Sequence, residues 1–161
     1  MNTRDDEKPL IRPLIGTDRD GLLRLYEDIG ILKPTDSLEG IERAWARILE
    51  TDLLYYVGVF VGGNLASTCH AVVVPNLSRG VRPYAIIENV GTLSTHRRRG
   101  LGKLAVEAAI AHCWKAGCYK IMLASSLQNT RAHAFYRVLG FDANAKQSFV
   151  LTKSALATGT R

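Results

Sequence analysis

Leu54 to Val74 holds two runs rich in β-branched and aromatic residues, broken by Gly62-Gly63-Asn64. Such runs around a glycine–asparagine break predict a β-hairpin, because glycine and asparagine reach the positive φ that a tight turn between twisted strands requires. An antiparallel pair of this kind must bury a face, and the hydrophobic periods on either side of it supply the cover.

Leu10 to Ile15 reads as a short strand, and Asp18 or a neighbour caps a helix running to about Ile29, where Gly30 stops it. Pro34 breaks the chain. Ser37 then opens a second amphipathic helix through Gly40, Ile41, Ala44, Trp45 and Ile48. Pro75 to Pro83 forms a loop, and Tyr84 to Leu93 is another strand. Leu101, Leu104, Ala105, Ala108 and Ala111 recur at helical spacing, with Gly117 as the stop. Tyr119 to Ala124 reads as a buried strand. Asn129 begins a helix ending near Leu139-Gly140, and Phe141 to Leu151 returns as one or two last strands. The order βααβββαβαβ describes an α/β (α+β) mixed sheet with helices on its faces. With no repeat, low-complexity tract or long linker, residues 1–161 read as a single domain with loose ends at 1–8 and 157–161.

A chain of 161 residues with 47% hydrophobic content can build one real core. No stretch approaches the roughly 18 uninterrupted apolar residues of a membrane span, and Met1 to Lys8 is too polar for a secretory signal. A cytoplasmic location is expected. Cys69, Cys113 and Cys118 are odd in number and lack CxxC pairing, so they read as reduced, packed thiols. His70, His96, His112 and His133 are scattered, with no metal-ligand spacing on one helix. The formal charge of +6 favours an anionic partner without naming it.

Arg97-Arg98-Arg99-Gly100-Leu101-Gly102-Lys103, between a strand and a helix, narrows that choice. Small residues there let the backbone turn sharply and a ligand approach closely. The first amides of a helix lack internal partners and sum with its dipole into an anion site, for which a diphosphate is the natural occupant. Gly100 to Ala105 also matches the dinucleotide fingerprint GxGxxA, but the next strand ends in Ala124-Ser125-Ser126 without the required acid. No Walker spacing occurs. The arginines are confined to one junction and lack the interleaved aromatics that single-stranded nucleic acid prefers. A plain solvated charge run is the remaining alternative.

A second segment, Asn129 to Phe141, shows Asn129, Ala132, Phe135, Tyr136, Gly140 and Phe141 in the pattern NxxAxxFYxxxGF. Together with Arg97, Gly100 and Gly102 in [QR]xxGx[GA], it closely resembles the GNAT superfamily of acyl-CoA-dependent N-acyltransferases, over nearly the whole chain. The resemblance implies a mostly antiparallel sheet splayed between its fourth and fifth strands, with acetyl-CoA as co-substrate and no metal. It implies that backbone groups of Thr92, Leu93 and Ser94 pair with the pantetheine arm. The amides of Arg98, Arg99, Gly100, Leu101, Gly102 and Lys103, beside Arg97, are implied to hold the pyrophosphate. Asn129 would contact the pantetheine, and Tyr136 would sit beside the thioester sulfur. The sequence departs from the family at Arg98, where relatives often carry glycine.

The family transfers the acetyl group directly to an amine. A lysine-like amine at pH 7 must give up a proton at about 4.6 kcal/mol. Glu88 is the candidate base: alternation places it on one face with Thr92, as the only acid among Tyr84, Ile86, Val90 and Thr92. An apolar face of that kind raises a carboxylate pKa. Holding the substrate ammonium or pairing with an arginine are its other readings; Asn89 is a candidate polar contact with substrate, and the resemblance implies a bulge in this strand that leaves its facing open. Tyr136 would donate a hydrogen bond or proton to the thiolate, full transfer being uphill by about 2 kcal/mol. Cys113 and Cys118 lack a His–acid partner set and are rejected as nucleophiles.

The resemblance implies that the acceptor enters from the side built by the first two helices and their connection, Ile31 to Leu38, and by the last strands. The loop Pro75 to Gly80 with Arg82 is either a contact for an anionic substrate or an exposed turn. Ile87-Glu88-Asn89-Val90 also looks like relatives that acetylate amino-sugar phosphates. A small-molecule amine is expected first and a protein or peptide amine second. A nonenzymatic module binding coenzyme A or nucleic acid is the rival class. Homodimerisation is common in the family.

Overall fold

The computed structural model describes residues 8–33 and 36–153. The expected loose ends, Lys8 apart, and the break at Pro34 lie outside the described residues. Two compact units make up the chain, Met1–Leu123 and Ala124–Arg161.

In the first unit β1 (Leu10–Pro13), α1 (Arg19–Asp28), α2 (Leu38–Glu50), β2 (Leu54–Val61), β3 (Asn64–Val74), β4 (Tyr84–Thr92), α3 (Leu101–Lys115) and β5 (Ile121–Met122) follow in sequence. The strands lie in the order β1-β2-β3-β4-β5, antiparallel throughout except for the parallel β4–β5 pair. This is the mixed, mostly antiparallel sheet expected. Gly62 and Gly63 close the β2–β3 hairpin with φ of 54° and 80°, a conformation that side chains with a Cβ resist.

α3 covers one face of the sheet: the Cys69 thiol lies 3.4 Å from the Ala105 carbonyl, and Tyr55 stacks on His112. The other face carries α1 and α2, with Leu14, Leu22, Leu25, Trp45, Phe60 and Leu65 as its core. The Trp45 indole N–H is satisfied there by the Gly16 carbonyl at 3.2 Å. Covered on both sides, β2 and β3 are buried along most of their length, which is why they read as near-continuous apolar runs. Gly91 is bare because α1 packs directly on it; a Cβ there would lie 2.5 Å from Ile29 Cδ1.

Helix ends follow the expectation with one difference. The Ser37 hydroxyl caps α2 by accepting the Gly40 N–H at 3.1 Å. Asp18 stands at the cap position of α1, but its carboxylate accepts the Ile15 N–H and a two-pronged contact from Arg12 instead. Those bonds hold the Asp18 carboxyl below the usual carboxylate range, the Arg12 guanidinium being the main cause.

β4 contains the decisive irregularity. His70 pairs with Glu88 and Thr68 with Gly91, so Asn89 and Val90 together oppose Cys69, and Asn89 takes a φ of 51°. On its other edge β4 pairs with β5 only at Ala85 and Ile86. From Ile87 to Thr92 that edge has no strand partner among the described residues, which is the expected splay between the fourth and fifth strands.

In the second unit, α4 (Thr130–Val138) is the expected helix. The last strands expected over Phe141 to Leu151 are not formed: those residues are turns and irregular chain. Asp142 accepts the Asn144 N–H through its side chain at 2.8 Å, a local turn that competes with a ladder.

Candidate functional site

α3 opens on an unusual backbone. Arg98 has φ +65° and Gly100 φ +77°, two left-handed residues flanking Arg99 just before the first helical turn. Alternating handedness turns successive amides toward one concavity. No side chain caps α3, so the amides of Leu101, Gly102 and Lys103 keep their donor capacity. Arg97, Arg98, Arg99 and Lys103 are exposed around this concavity. It can hold an anion with several acceptor oxygens, in the manner of a linked pair of phosphates. Leu101, at 3% exposure, anchors the helix start in the core and fixes where the amides point.

A glycine would adopt the left-handed region at position 98 freely, but the chain carries an arginine there. The left-handed region costs an L-residue roughly 1–2 kcal/mol, and Arg98 bears that strain while adding a cation.

The strand leading into the concavity offers less backbone than the sequence suggested. The Leu93 N–H bonds the Ala66 carbonyl at 2.9 Å. The Ser94 N–H and hydroxyl both go to the Asp28 carboxylate, at 2.6 and 2.7 Å. Amide direction alternates along a strand, so the Thr92 N–H points away from β3, toward the open side. The Thr92 carbonyl, on that same side, accepts the Arg97 Nε at 3.3 Å.

Glu88 requires a correction. Four residues separate it from Thr92, and plain alternation would put both on one face. The bulge adds one residue, so Glu88 shares the face of His70 and Thr92 that of Ser67, whose hydroxyls meet at 2.8 Å. His70 and Ser67 lie three apart on β3, on opposite faces. Glu88 therefore lies on the α1–α2 side, and its side chain is exposed rather than set in the dry apolar row expected. Asn89 is exposed beside it.

Beneath Glu88 are groups that sequence reasoning missed. His70 is 8% exposed, stacks on Tyr56 with centroids 4.4 Å apart, and leaves Nδ1 buried without a partner. Burial pushes its pKa down to about 4, so the imidazole is neutral in the physiological range. The Tyr26 hydroxyl is likewise buried, close to the Tyr56 and Asn89 side chains but without a hydrogen bond of good geometry, and burial pushes its pKa up. No sequence signal distinguished these residues from ordinary core.

In the second unit, Asn129 caps α4: its Oδ1 accepts the Ala132 N–H at 3.1 Å, which leaves Nδ2 to offer a ligand. Tyr136 packs edge-on against Phe135 and Phe141, with centroids at 5.1 and 6.0 Å. The aromatic and glycine positions of the motif thus orient the tyrosine ring.

The three cysteines are free and buried, and burial pushes the Cys69 and Cys113 thiols up to about 12 and 11, leaving neither an attacking thiolate. The loop after β3 is braced by the Asn76 amide on the Ser78 and Arg82 carbonyls. It sits at the opposite end of β4 from the concavity, about 25 Å away along the strand, and reads as an exposed turn. Among the described residues, no cluster of His, Cys, Asp and Glu could hold a metal ion, and no helix is long and apolar enough to cross a membrane.

The model of the Acetyltransferase (GNAT) family matches residues 20–141. The chain belongs to this family. A glucosamine 6-phosphate N-acetyltransferase of Trypanosoma brucei brucei is 32% identical over 85 residues, which are 53% of this chain and 56% of the relative. The chain spans about half the length of the curated relatives it matches. A solved structure from Agrobacterium tumefaciens str. C58, assigned as an acetyltransferase, is 35% identical with a TM-score of 0.84, covering 89% of this chain and 99% of its own. The crystal structure of glucosamine-6-phosphate N-acetyltransferase from Arabidopsis thaliana is 26% identical with a TM-score of 0.75, covering 91% and 98%. In the GNAT family frame, the concavity at Arg98–Lys103 and the open edge of β4 are adjoining parts of one chain segment.

Proposed function

We propose that this protein is an N-acetyltransferase that moves the acetyl group of acetyl-CoA directly to a primary amine of a small molecule. The observation that carries the reading is the pair of left-handed residues, Arg98 and Gly100, at the uncapped start of α3. Such amides suit the pyrophosphate of coenzyme A, with Arg97, Arg98, Arg99 and Lys103 supplying charge. The pantetheine arm then takes the place of a strand along the open edge of β4, where the Thr92 N–H is the donor.

An arm bound along an edge is reachable from either face, and the position of Glu88 selects one. Exposed on the α1–α2 side, Glu88 meets the acceptor amine and takes its proton directly or through a water. Nitrogen attack on the thioester forms the C–N bond and breaks the C–S bond. Tyr136 donates a hydrogen bond to the departing thiolate, and an amide near Thr92 faces the tetrahedral oxyanion. Asn129 Nδ2 contacts the pantetheine.

The curated relatives act on glucosamine 6-phosphate, and this makes an amino-sugar phosphate the first acceptor to test. Thiol release from acetyl-CoA is followed across a panel of amino-sugar phosphates, simple alkylamines and lysine peptides. Turnover confined to small amines supports the proposal, and turnover confined to peptides replaces the acceptor class. Calorimetry without an amine tests the carrier site: saturable acetyl-CoA binding that Gly100→Asp abolishes is expected. Salt-sensitive DNA binding with no acyl-CoA affinity would overturn the assignment.

A further inference from the structure

Asp28 occupies a position that local physics disfavours. It is the last residue of α1, whose final turn contains no basic residue, and a carboxylate there faces the negative end of the helix dipole. A broken local rule asks for a compensating partner. That partner is 66 residues away: both Asp28 oxygens are engaged, one by the Ser94 N–H at 2.6 Å and one by the Ser94 hydroxyl at 2.7 Å. Arg97 adds a favourable charge, and its Nε is itself tied to the Thr92 carbonyl. Ser94 begins the single turn Ser94–His96, from which Arg97 to Gly100 runs directly into α3 with no strand or helix between. The end of α1 therefore sets the base of the segment that carries the amide concavity.

We propose that Asp28 is a positioning residue for the carrier site: its carboxylate fixes the Ser94 turn so that the Arg98–Lys103 amides converge on one anion. Ser94 acts as the receiving half of this clamp and offers its hydroxyl and N–H to Asp28 rather than to the ligand. Asp28 lies two residues before Gly30, where α1 has ended, so the clamp ties the end of α1 to the carrier segment. The inference rests on the proposed reading of Arg98–Lys103 as the pyrophosphate site.

The test uses the full chain with Asp28→Ala, Asp28→Asn and Ser94→Ala. Asp28 is exposed, so unchanged melting temperatures are expected and are measured first. Asp28→Ala should raise the KM for acetyl-CoA roughly five- to tenfold, with kcat and the amine KM within about twofold, because a loosened loop loses preorganisation of binding. Asp28→Asn, which keeps an acceptor, should fall between wild type and Asp28→Ala. In the Ser94→Ala background, adding Asp28→Ala should cost less than it does alone. Hydrogen exchange at residues 94–103 in the ligand-free chain should be faster in Asp28→Ala. An unchanged or lower acetyl-CoA KM, as a carboxylate that merely repels phosphate would give, overturns the clamp. If wild type does not bind acetyl-CoA, the proposed function fails, and the exchange measurement alone decides whether Asp28 orders the loop.

Discussion

Glu88 stands directly opposite His70 across β4 and β3, an exposed carboxylate beside a buried, neutral imidazole. Both side chains lie on the face shared with α1 and α2. The proposed acceptor site thus has a charged, solvated lip at Glu88 and an uncharged polar floor formed by His70, Tyr56 and Tyr26. The two groups answer to different experiments.

Glu88→Gln removes the proton acceptor while keeping shape and exposure. It should lower kcat by about a hundredfold near neutral pH, with the loss shrinking as the amine deprotonates at higher pH. Thiol-release rates across pH give the profile. A rate equal to wild type throughout the range would remove Glu88 as base.

His70 makes stability fall in acid. Its folded pKa, about 4, lies below its ordinary 6.5, so the unfolded chain binds the proton first as pH drops. The associated stability is present above about pH 6.5 and is lost on the way down to about pH 4, on the order of 2–3 kcal/mol. His70→Phe keeps a ring to stack on Tyr56 and removes the unpartnered Nδ1. Urea unfolding at pH 7.5 and 4.5 should show a smaller acid loss in His70→Phe than in wild type; equal losses would refute the assignment.

Arg98→Gly should separate stability from binding. Relief of the left-handed strain is worth roughly 1–2 kcal/mol, and the flexibility of glycine in the unfolded chain takes back about 0.5–1. A small net gain in thermal stability is expected, together with weaker acetyl-CoA binding by calorimetry because one cation has gone. A variant that melts lower than wild type contradicts the strain argument.

Gly91→Ala tests the packing of α1 on the bulged strand. The new Cβ would meet Ile29 Cδ1 at 2.5 Å and Leu25 Cδ2 at 3.1 Å. Overpacking of this kind costs about 1–3 kcal/mol. Adding Ile29→Val removes the clashing methyl and should recover much of the loss in urea titrations. No recovery would mean that the strand, not the Ile29 side chain, is what fails to adjust.

Tyr136→Phe keeps the ring packing on Phe135 and Phe141 and deletes the hydroxyl. A drop of about tenfold in kcat with an unchanged acetyl-CoA KM is expected from a donor used only as the thiolate leaves. Full turnover in this variant would end the assigned role.

Much of this protein was legible in its residues because the relevant physics is local. The apolar runs on either side of Gly62-Gly63-Asn64 specify the hairpin, Ser37 specifies the start of α2, and Gly100 marks the tight left-handed turn that opens α3. Periods, caps and glycines act over a few positions, so one sequence suffices to read them. Phe141 to Leu151 shows where that reading ends: strand-forming residues make no strand where no ladder partner is paired with them and Asp142 closes a turn of its own.

What the tertiary structure alone decided is facing and partnership. One extra residue at Asn89 reverses the face of Glu88 relative to Thr92, because side-chain direction along a strand has a period of two and any insertion inverts it. Asp28 finds Ser94, and the Tyr26 hydroxyl and His70 Nδ1 are buried, only because the sheet brings α1 against β3 and β4. Sequence determined which segments could fold and where the chain turns sharply into α3. Long-range packing determined which side of the sheet the chemistry faces, since no residue encodes its distant neighbour by itself.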